Sequence, residues 1–472
     1  MNEEYVYTYG DIIVSPYKFE KINKFRLVQE INEHARFYIS GILSEESTDE
    51  YVETASENQT ISVALTNAEQ NIEPFFNGIV TNISISVKNN VRTLEIEALS
   101  YTYLMDTLKC SATFQNEQFT YTNVFNKINS KYGSYSMVNN VTGSIKVNQL
   151  LVQYRETDWE FLKRLASHFN VGLVPACSLS GIKYSIGWAG GGKGGNLTEF
   201  NYSIKKGLLE YKLKAYNEGY SLSDLDLISY EITTNKIMNL YDDVAFNGKK
   251  LMVYQCDIQM IKGALVNKCI LRDERGMKVE KLYNDGIVGV SLQGRVLDVQ
   301  KDEVKVSLEL DGSPTESEGA KWFKYATVFS SPYGTGWYCM PEVEDVVRLY
   351  FPDNVENHAY VLNSLHYPYS DSDQSKRSDP DVKSFSTKYG KEIIMRPGGI
   401  DIISGSNLMT LDDNGGIQVK SDNDISMSGS SVSISGGSVS IYGDGGVTLS
   451  QSGASIKIKD DVVMSGGKIN TQ

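Results

Sequence analysis

Aliphatic side chains recur in pairs, two residues apart, along the last eighty residues of the chain. The pairs are Ile393/Met395, Ile400/Ile402, Ile417/Val419, Ile425/Met427, Val432/Ile434, Val439/Ile441, Val447/Leu449 and Ile456/Ile458, most of them seven to nine residues after the one before. Each pair has the period-2 alternation of a short strand with one buried face. Turn residues separate them: Pro397-Gly398-Gly399, Asn414-Gly415-Gly416, Ser435-Gly436-Gly437 and Asp444-Gly445-Gly446. After Gly390 only Tyr442 is aromatic, although aromatics make up 11% of the chain, so the interior of this segment is too narrow for rings. The pattern predicts a β-solenoid. A strand burying two small side chains makes a very thin prism, and a single chain would have a starved core. Three identical chains wound together bury the strand edges along the shaft. About ten strands at ~4.8 Å spacing give a shaft on the order of 50 Å long. A single-chain β-helix and a disordered low-complexity tail are the alternatives.

The pattern changes upstream. Residues 371–380 are polar throughout and read as a linker. Residues 286–368 alternate as five short strands with no evident helix: 294–299, 303–310, 324–328, 337–351 and 359–365. Five strands in about 80 residues fit a small closed barrel of the OB type. Residues 1–285 are β-rich with two helices. One lies near 122–132, where Val124, Phe125, Ile128 and Tyr132 share a face and Gly133 stops it. The other opens on Thr157-Asp158-Trp159-Glu160, a capping box, and continues with Trp159, Leu162, Ala166 and Phe169 as its apolar stripe. Glu160 and Arg164 are spaced i,i+4 and are expected to face each other.

Composition narrows the function classes. Of 472 residues, 45 are basic and 59 acidic, a formal charge of −14. That balance argues against a nucleic-acid surface, as does the acidic cluster Glu342/Glu344/Asp345 in the barrel. No apolar run approaches the ~18 residues of a membrane span. The acidic start Met1-Asn2-Glu3-Glu4 predicts no secretory signal, hence synthesis in the cytoplasm. Cys110, Cys177, Cys256, Cys269 and Cys339 are far apart and odd in number, and are expected to be reduced core residues.

Candidate chemistry is thin. Residues 187–194 resemble a phosphate loop, but Gly194 stands where Ser or Thr would follow the lysine, and no helix start follows. A loop between strands is expected. His34, His168, His358 and His366 have no ligand spacing, and no CxxC occurs. His168 is expected to complement the end of its helix. Glu156, Asp158 and Glu160 could suggest paired carboxylates, but a solvated helix start accounts for them. No nucleophile elbow is present. No catalytic residue, cofactor or metal ligand is assigned, although a threefold axis could gather one ligand from each copy.

Three stretches resemble a known family. Phe75-Phe76-Asn77-Gly78-Ile79-Val80 is similar to its F-x-G-x-V hub strand. The segment from Val152 to Leu165, with Gln153, Tyr154, Glu156, Thr157, Asp158, Phe161, Arg164 and Leu165, is similar to its Q-Y-x-E-S/T-D-x-x-F-x-x-R-L motif. Met340-Pro341-Glu342-Val343-Glu344-Asp345-Val346-Val347 is similar to M-P-E-V-G-D-E-V in its barrel, with Glu344 where the family has Gly. The family is that of the spikes of contractile injection machines: the VgrG proteins of type VI secretion and the baseplate hub–spikes of contractile phages and phage-tail-like bacteriocins.

The resemblance implies a mainly β architecture in four parts. These are a hub of two β-barrel-like domains with a few helices (1–285), an OB-fold barrel (286–368), a linker (369–385) and an intertwined triple-stranded β-helix needle in a homotrimer (386–472). Ile417, Val419, Ile425, Met427, Val432, Ile434, Val439, Ile441, Val447, Leu449, Ile456 and Ile458 are then the trimer core. It implies a non-enzymatic spike that caps a hexameric tube and is driven through a target envelope when a sheath contracts. Its expected partners are the tube protein or tube initiator, baseplate proteins, effector cargo and a tip cap of the proline-alanine-alanine-arginine repeat (PAAR) type. The target membrane is met only transiently, and the particle carries the spike outside the cell. The segment 366–385 is too short to hold a lysozyme domain, and the tip lacks an HxH iron element. A receptor-binding fibre and a cell-wall hydrolase on a solenoid stalk are the competing readings.

Overall fold

The structure, a computed structural model, describes residues 5–44, 49–188, 190, 192–218, 222–308, 310, 319–366 and 377–458. The chain divides into two units, Met1–Tyr367 and Pro368–Gln472.

The first unit begins with strands β1 (Ile12–Ser15), β2 (Lys21–Glu30) and β3 (Arg36–Ile42), the one-turn helix α1 (Glu50–Glu53), and strands β4 (Thr60–Thr66), β5 (Ile72–Lys88) and β6 (Val91–Ser100). A lobe follows, made of β7 (Lys109–Phe114), α2 (Tyr121–Asn129), β8 (Tyr135–Asn139), β9 (Leu151–Thr157), α3 (Asp158–Ser167), β10 (Leu173–Pro175) and β11 (Ile182–Ile186). The chain then returns through β12 (Lys193–Leu197), β13 (Tyr202–Lys206), α4 (Leu208–Glu218), β14 (Ile228–Thr234), β15 (Asp243–Phe246), β16 (Lys249–Ile261) and β17 (Ala264–Arg272).

The two flanking sets of strands do not form separate sheets. They join in one twelve-stranded sheet, in the order β1-β4-β5-β6-β3-β2-β16-β17-β14-β13, with β15 also on β16 and β12 on β15. The joint is antiparallel, Glu30 to Arg26 against Gln255 to Gln259, and a bidentate ion pair between Arg26 and Asp257 (2.8 Å twice) braces it. One core spans it, from Phe25, Phe37 and Phe76 to Val253, Cys256 and Leu271. The period-2 pattern identifies strands but not which strands pair over more than two hundred residues. The F-x-G motif is explained locally: a Cβ on Gly78 would lie 2.2 Å from the Leu99 carbonyl oxygen of β6, so only glycine lets β5 and β6 close. The lobe has its own core, in which Trp159, Phe161, Leu162 and Leu165 of α3 meet Phe125 and Ile128 of α2.

The OB barrel follows as β18 (Ser291–Gln300), β19 (Glu303–Leu308), β20 (Trp322–Lys324), β21 (Val346–Tyr350) and β22 (Tyr360–Leu365), in the order β20-β19-β18-β21-β22. Its ends approach through the Tyr325–Val361 bridge and the Ala326 N–H on the Val361 carbonyl at 2.7 Å. The third and fourth strands are shorter than the pattern suggested. The fourth strand starts only at Val346 because 342–345 form a turn, in which the Glu342 carbonyl accepts the Asp345 N–H at 3.1 Å while the Glu344 N–H donates to the Val296 carbonyl of β18 at 2.8 Å. Glu344, in place of the family glycine, keeps the glycine conformation at φ +77°. A side chain in that region costs about 1 kcal/mol. Glu344→Gly is therefore expected to stabilise the barrel by about 1 kcal/mol, read as a higher urea midpoint. Glu344→Ala, which keeps a Cβ, is expected to give no such gain.

The second unit opens with an antiparallel meander, β23 (Lys383–Ser386), β24 (Lys391–Arg396), β25 (Gly399–Ser404), β26 (Asn407–Asp412) and β27 (Gly416–Lys420), and later forms a hairpin of β28 (Val447–Gln451) and β29 (Ala454–Ile458). Within a single chain the first pairs thus fold back on each other rather than wind. Residues 421–446 contain no strand. Residues 367–376 of the linker and 459–472 of the needle lie outside the described residues.

Candidate assembly surfaces

The meander has one apolar face and one mixed face, on which Ile394, Ile403 and Leu408 stand among Arg396, Asp401 and Asp412. Cross-strand partners on the apolar face are Phe385–Ile393, Ile393–Ile402, Met395–Ile400, Ile402–Met409, Ile400–Leu411, Met409–Val419 and Leu411–Ile417. On the other face Arg396 reaches Asp401 at 3.1 Å and Asp412 at 3.5 Å. Among the described residues of this unit the apolar face is left exposed: Ile417 is 67% exposed and Val419 59%. The exposure continues where no strand forms, through Ile425, Met427 (72%), Val432, Ile434, Val439 and Ile441. In the hairpin, Val447 partners Ile458 and Leu449 partners Ile456. Leu449 and Ile456 are exposed and Val447 is half-buried. Ten of the twelve residues expected in a trimer core are thus exposed between positions 417 and 456, and exposed apolar stretches of this kind mark interaction surfaces.

A second arrangement ties the lobe to the barrel. The capping box of α3 is present: Thr157 Oγ1 accepts the Glu160 N–H at 3.1 Å, and Glu160 Oε2 accepts the Thr157 N–H at 2.8 Å. Because Glu160 is committed there, Arg164 turns away from it, contrary to the i,i+4 expectation. Its guanidinium donates to both oxygens of Glu156 (2.8 and 2.7 Å), to the Val152 carbonyl (2.8 Å) and to Glu356 of the barrel (2.7 Å). Arg164 is 2% exposed, Glu156 8% and Glu356 8%. Burial opposes the Arg164 charge, and the two carboxylates outweigh it and hold the guanidinium protonated. Asp158, expected at a solvated helix start, is also buried. It accepts from Lys131, Tyr132 and Gln153, each at 2.8 Å. Leu150 and Val152 of the lobe share a core with Val306, Leu349 and Phe351 of the barrel, and Gln115 donates to the Val306 carbonyl at 3.0 Å. Lobe and barrel are thus packed through shared apolar and polar contacts.

His168, the C-cap of α3, does not serve the helix end as a cation. Burial, then the nearby Arg164 and Lys281, push its pKa down to about 3. A neutral imidazole fits its contacts, since Gln149 donates to the Tyr121 hydroxyl and that hydroxyl reaches His168 Nδ1, both at 3.0 Å. The unfolded chain takes up this proton near pH 6.5 and the folded chain only near pH 3. Stability is therefore expected to fall as pH drops through that window, by up to ~1.4 kcal/mol per pH unit from this group. Melting temperatures between pH 7 and 4 check it, with a flatter profile expected for His168→Gln.

The remaining candidates disperse. The glycine-rich segment connects β11 to β12 as a loop whose last two residues, Lys193 and Gly194, enter β12, parallel to β15; residues 189 and 191 lie outside the described residues. His34 pairs with Thr102 and Asp106, and His358 with Asp353. Among the described residues no group of three or more metal-binding side chains converges. Cys177, Cys256 and Cys269 are buried, whereas Cys339 is exposed and Cys110 intermediate, so not all five are core residues; all are free.

Comparison with known proteins places this fold. A family model described as the type VI secretion system/phage-baseplate injector OB domain matches residues 292–366, the five-stranded barrel. A model described as the Alg8 N-terminal domain matches residues 57–176, a span that begins before β4 and ends beyond β10, cutting across both sheet and lobe. No curated protein matches the chain in sequence. Among solved structures, an Escherichia coli protein described as a component of the type VI secretion system, similar in structure to phage T4 tail proteins gp27 and gp5, superposes with TM-score 0.55 at 12% identity, over 75% of this chain and 99% of its own. The Francisella PdpA–VgrG complex in its half-lidded form gives 0.57 at 9% identity, over 87% of both chains. The lidless form gives 0.56 at 9%, over 85% and 93%. The fold is therefore mainly β and of the VgrG hub–spike kind.

Proposed function

We propose that the chain is the structural spike of a contractile injection system. Three copies associate through residues 417–458, cap a hexameric tail tube, and puncture a target envelope mechanically when the sheath contracts. The observation that carries this reading is the exposed aliphatic stripe on a VgrG-like chain. Its residues alternate as strands do, yet 421–446 have no strand partner among the described residues. Two sister copies supply both the missing backbone partners and the missing apolar contacts. The tube protein, baseplate proteins, a PAAR-type tip cap and effector cargo are the partners that such a role requires. No bond is broken by this chain in such a role.

Native mass spectrometry of the full chain tests the assembly. A species at three times 52.6 kDa is expected at micromolar concentration, and a stable monomer there would contradict the reading. Release of sugars or peptides from purified peptidoglycan by the chain alone would favour a hydrolase instead.

A further inference from the structure

Two cysteines oppose each other in the core of the hub. Cys256 of β16 and Cys269 of β17 are direct cross-strand partners. Both are free thiols, both are 0% exposed, and both belong to the core that spans the twelve-stranded sheet. Residues directly opposite each other in an antiparallel pair project from the same face of the sheet, so the two sulfurs share one space.

The kind of rung they occupy follows from the hydrogen bonds nearby. The Leu265 N–H turns away from β16 to the Tyr7 carbonyl, at 2.8 Å, so Leu265–Met260 is a rung without hydrogen bonds between β16 and β17. Bonded and unbonded rungs alternate along an antiparallel pair. The register is unbroken from Ile261–Ala264 to Gln255–Ile270. Counting two residues at a time from Leu265–Met260 gives Asn267–Ile258 and then Cys269–Cys256, which is therefore also unbonded. On such rungs the Cα atoms are about 4.5 Å apart and the side chains are closest. That lies inside the Cα separation of roughly 4.4–6.8 Å that a disulfide spans. Cys177 shares the core, but it stands on the turn 176–179 and not across from either thiol.

The surroundings keep the pair reduced while the core is closed. Cys256 beside it, and then burial, push the Cys269 thiol up. The Cys256 thiol donates to the Met238 carbonyl at 3.3 Å. Thiolate, the attacking species, is therefore scarce. Geometry favours the bond and burial slows its formation.

We propose that Cys256 and Cys269 form a latent cross-strand disulfide, closed by exchange with a small organic disulfide. One cysteine thiolate attacks a sulfur of the small disulfide, which gives a mixed disulfide and releases one small thiolate. The second cysteine thiolate then attacks the mixed disulfide at the protein sulfur and releases the other. The two cysteine protons end on the two small thiols. The protein is oxidised by two electrons and the small disulfide is reduced by two. The bond ties β16, the strand at the β2–β16 joint, to its hairpin partner. The pair belongs to the hub core and does not depend on the spike reading.

Prolonged incubation of the full chain with hydroxyethyl disulfide, followed by acid quenching, alkylation in urea and peptide mapping, tests it. A peptide pair joining Cys256 to Cys269 is expected in most of the chains, with dithiothreitol releasing it. The oxidised chain is expected to keep its fold, with a urea midpoint no lower than that of the reduced chain. In Cys269→Ala the same treatment is expected to leave the midpoint unchanged. The comparison of oxidised and reduced unaltered chain remains decisive if that variant fails to fold. Both thiols still open to alkylation, a bond from Cys177 to Cys256 or Cys269, or a Cys256–Cys269 bond that lowers the midpoint would each overturn the proposal.

Discussion

Ile434→Asp combined with Ile441→Asp is expected to abolish SDS-resistant trimers of the full chain. Both side chains are more than 60% exposed in a single chain, so the substitutions cost a monomer almost nothing. In a threefold shaft they place six carboxylates in a dry interior. At several kcal/mol for each uncompensated charge, the total exceeds the 5–15 kcal/mol that stabilises an ordinary domain. Ile434→Val with Ile441→Val removes one methylene at each site and is expected to cost about 1 kcal/mol per site, leaving the trimer intact. Unheated SDS gels and sedimentation distinguish the outcomes. A double-aspartate variant that still runs as a trimer would show that these residues do not face inward.

Arg164→Ala is expected to be the most damaging single change in the first unit, destabilising it by about 3–5 kcal/mol. It leaves Glu156 and Glu356, both 8% exposed, facing each other with no cation between them. Arg164→Lys keeps a charge but lacks the planar fork that serves Glu156, Glu356 and the Val152 carbonyl together, so an intermediate loss is expected. Denaturant midpoints followed by tryptophan fluorescence measure both, since Trp159 is fully buried on the helix that carries Arg164. If the alanine variant melts like the unaltered chain, the lobe and barrel are held by their shared apolar core alone.

Arg164 also shows where sequence reasoning reaches its limit. The capping box, the apolar stripe of α3 and the five-strand barrel were legible because each is written within a few residues. The partner of Arg164 was not. Spacing along a helix pointed to Glu160, four residues before it, whereas the structure supplies Glu356, 192 residues after it. The β2–β16 joint was hidden for the same reason: alternation says that a strand has a buried side, not which distant strand lies beside it. Glu344 is another case: a residue other than glycine suggested a different local turn, whereas the backbone keeps the glycine conformation at φ +77°. The exposed aliphatic pairs were readable in full, and the meander formed by the first of them was not. A period of two fits a strand that winds and a strand that folds back equally well.

The sticky stripe comes late in the chain, after everything that can fold unaided. At about 5–20 residues per second of synthesis, the fifty or so residues between the barrel and position 421 give the earlier part several seconds to finish before the first unmatched strand leaves the ribosome. In the proposed trimer, a product truncated ahead of that point would lack the segment through which the copies associate. Translation order would then act as a proofreading step, admitting only a polypeptide read through to its aliphatic repeats.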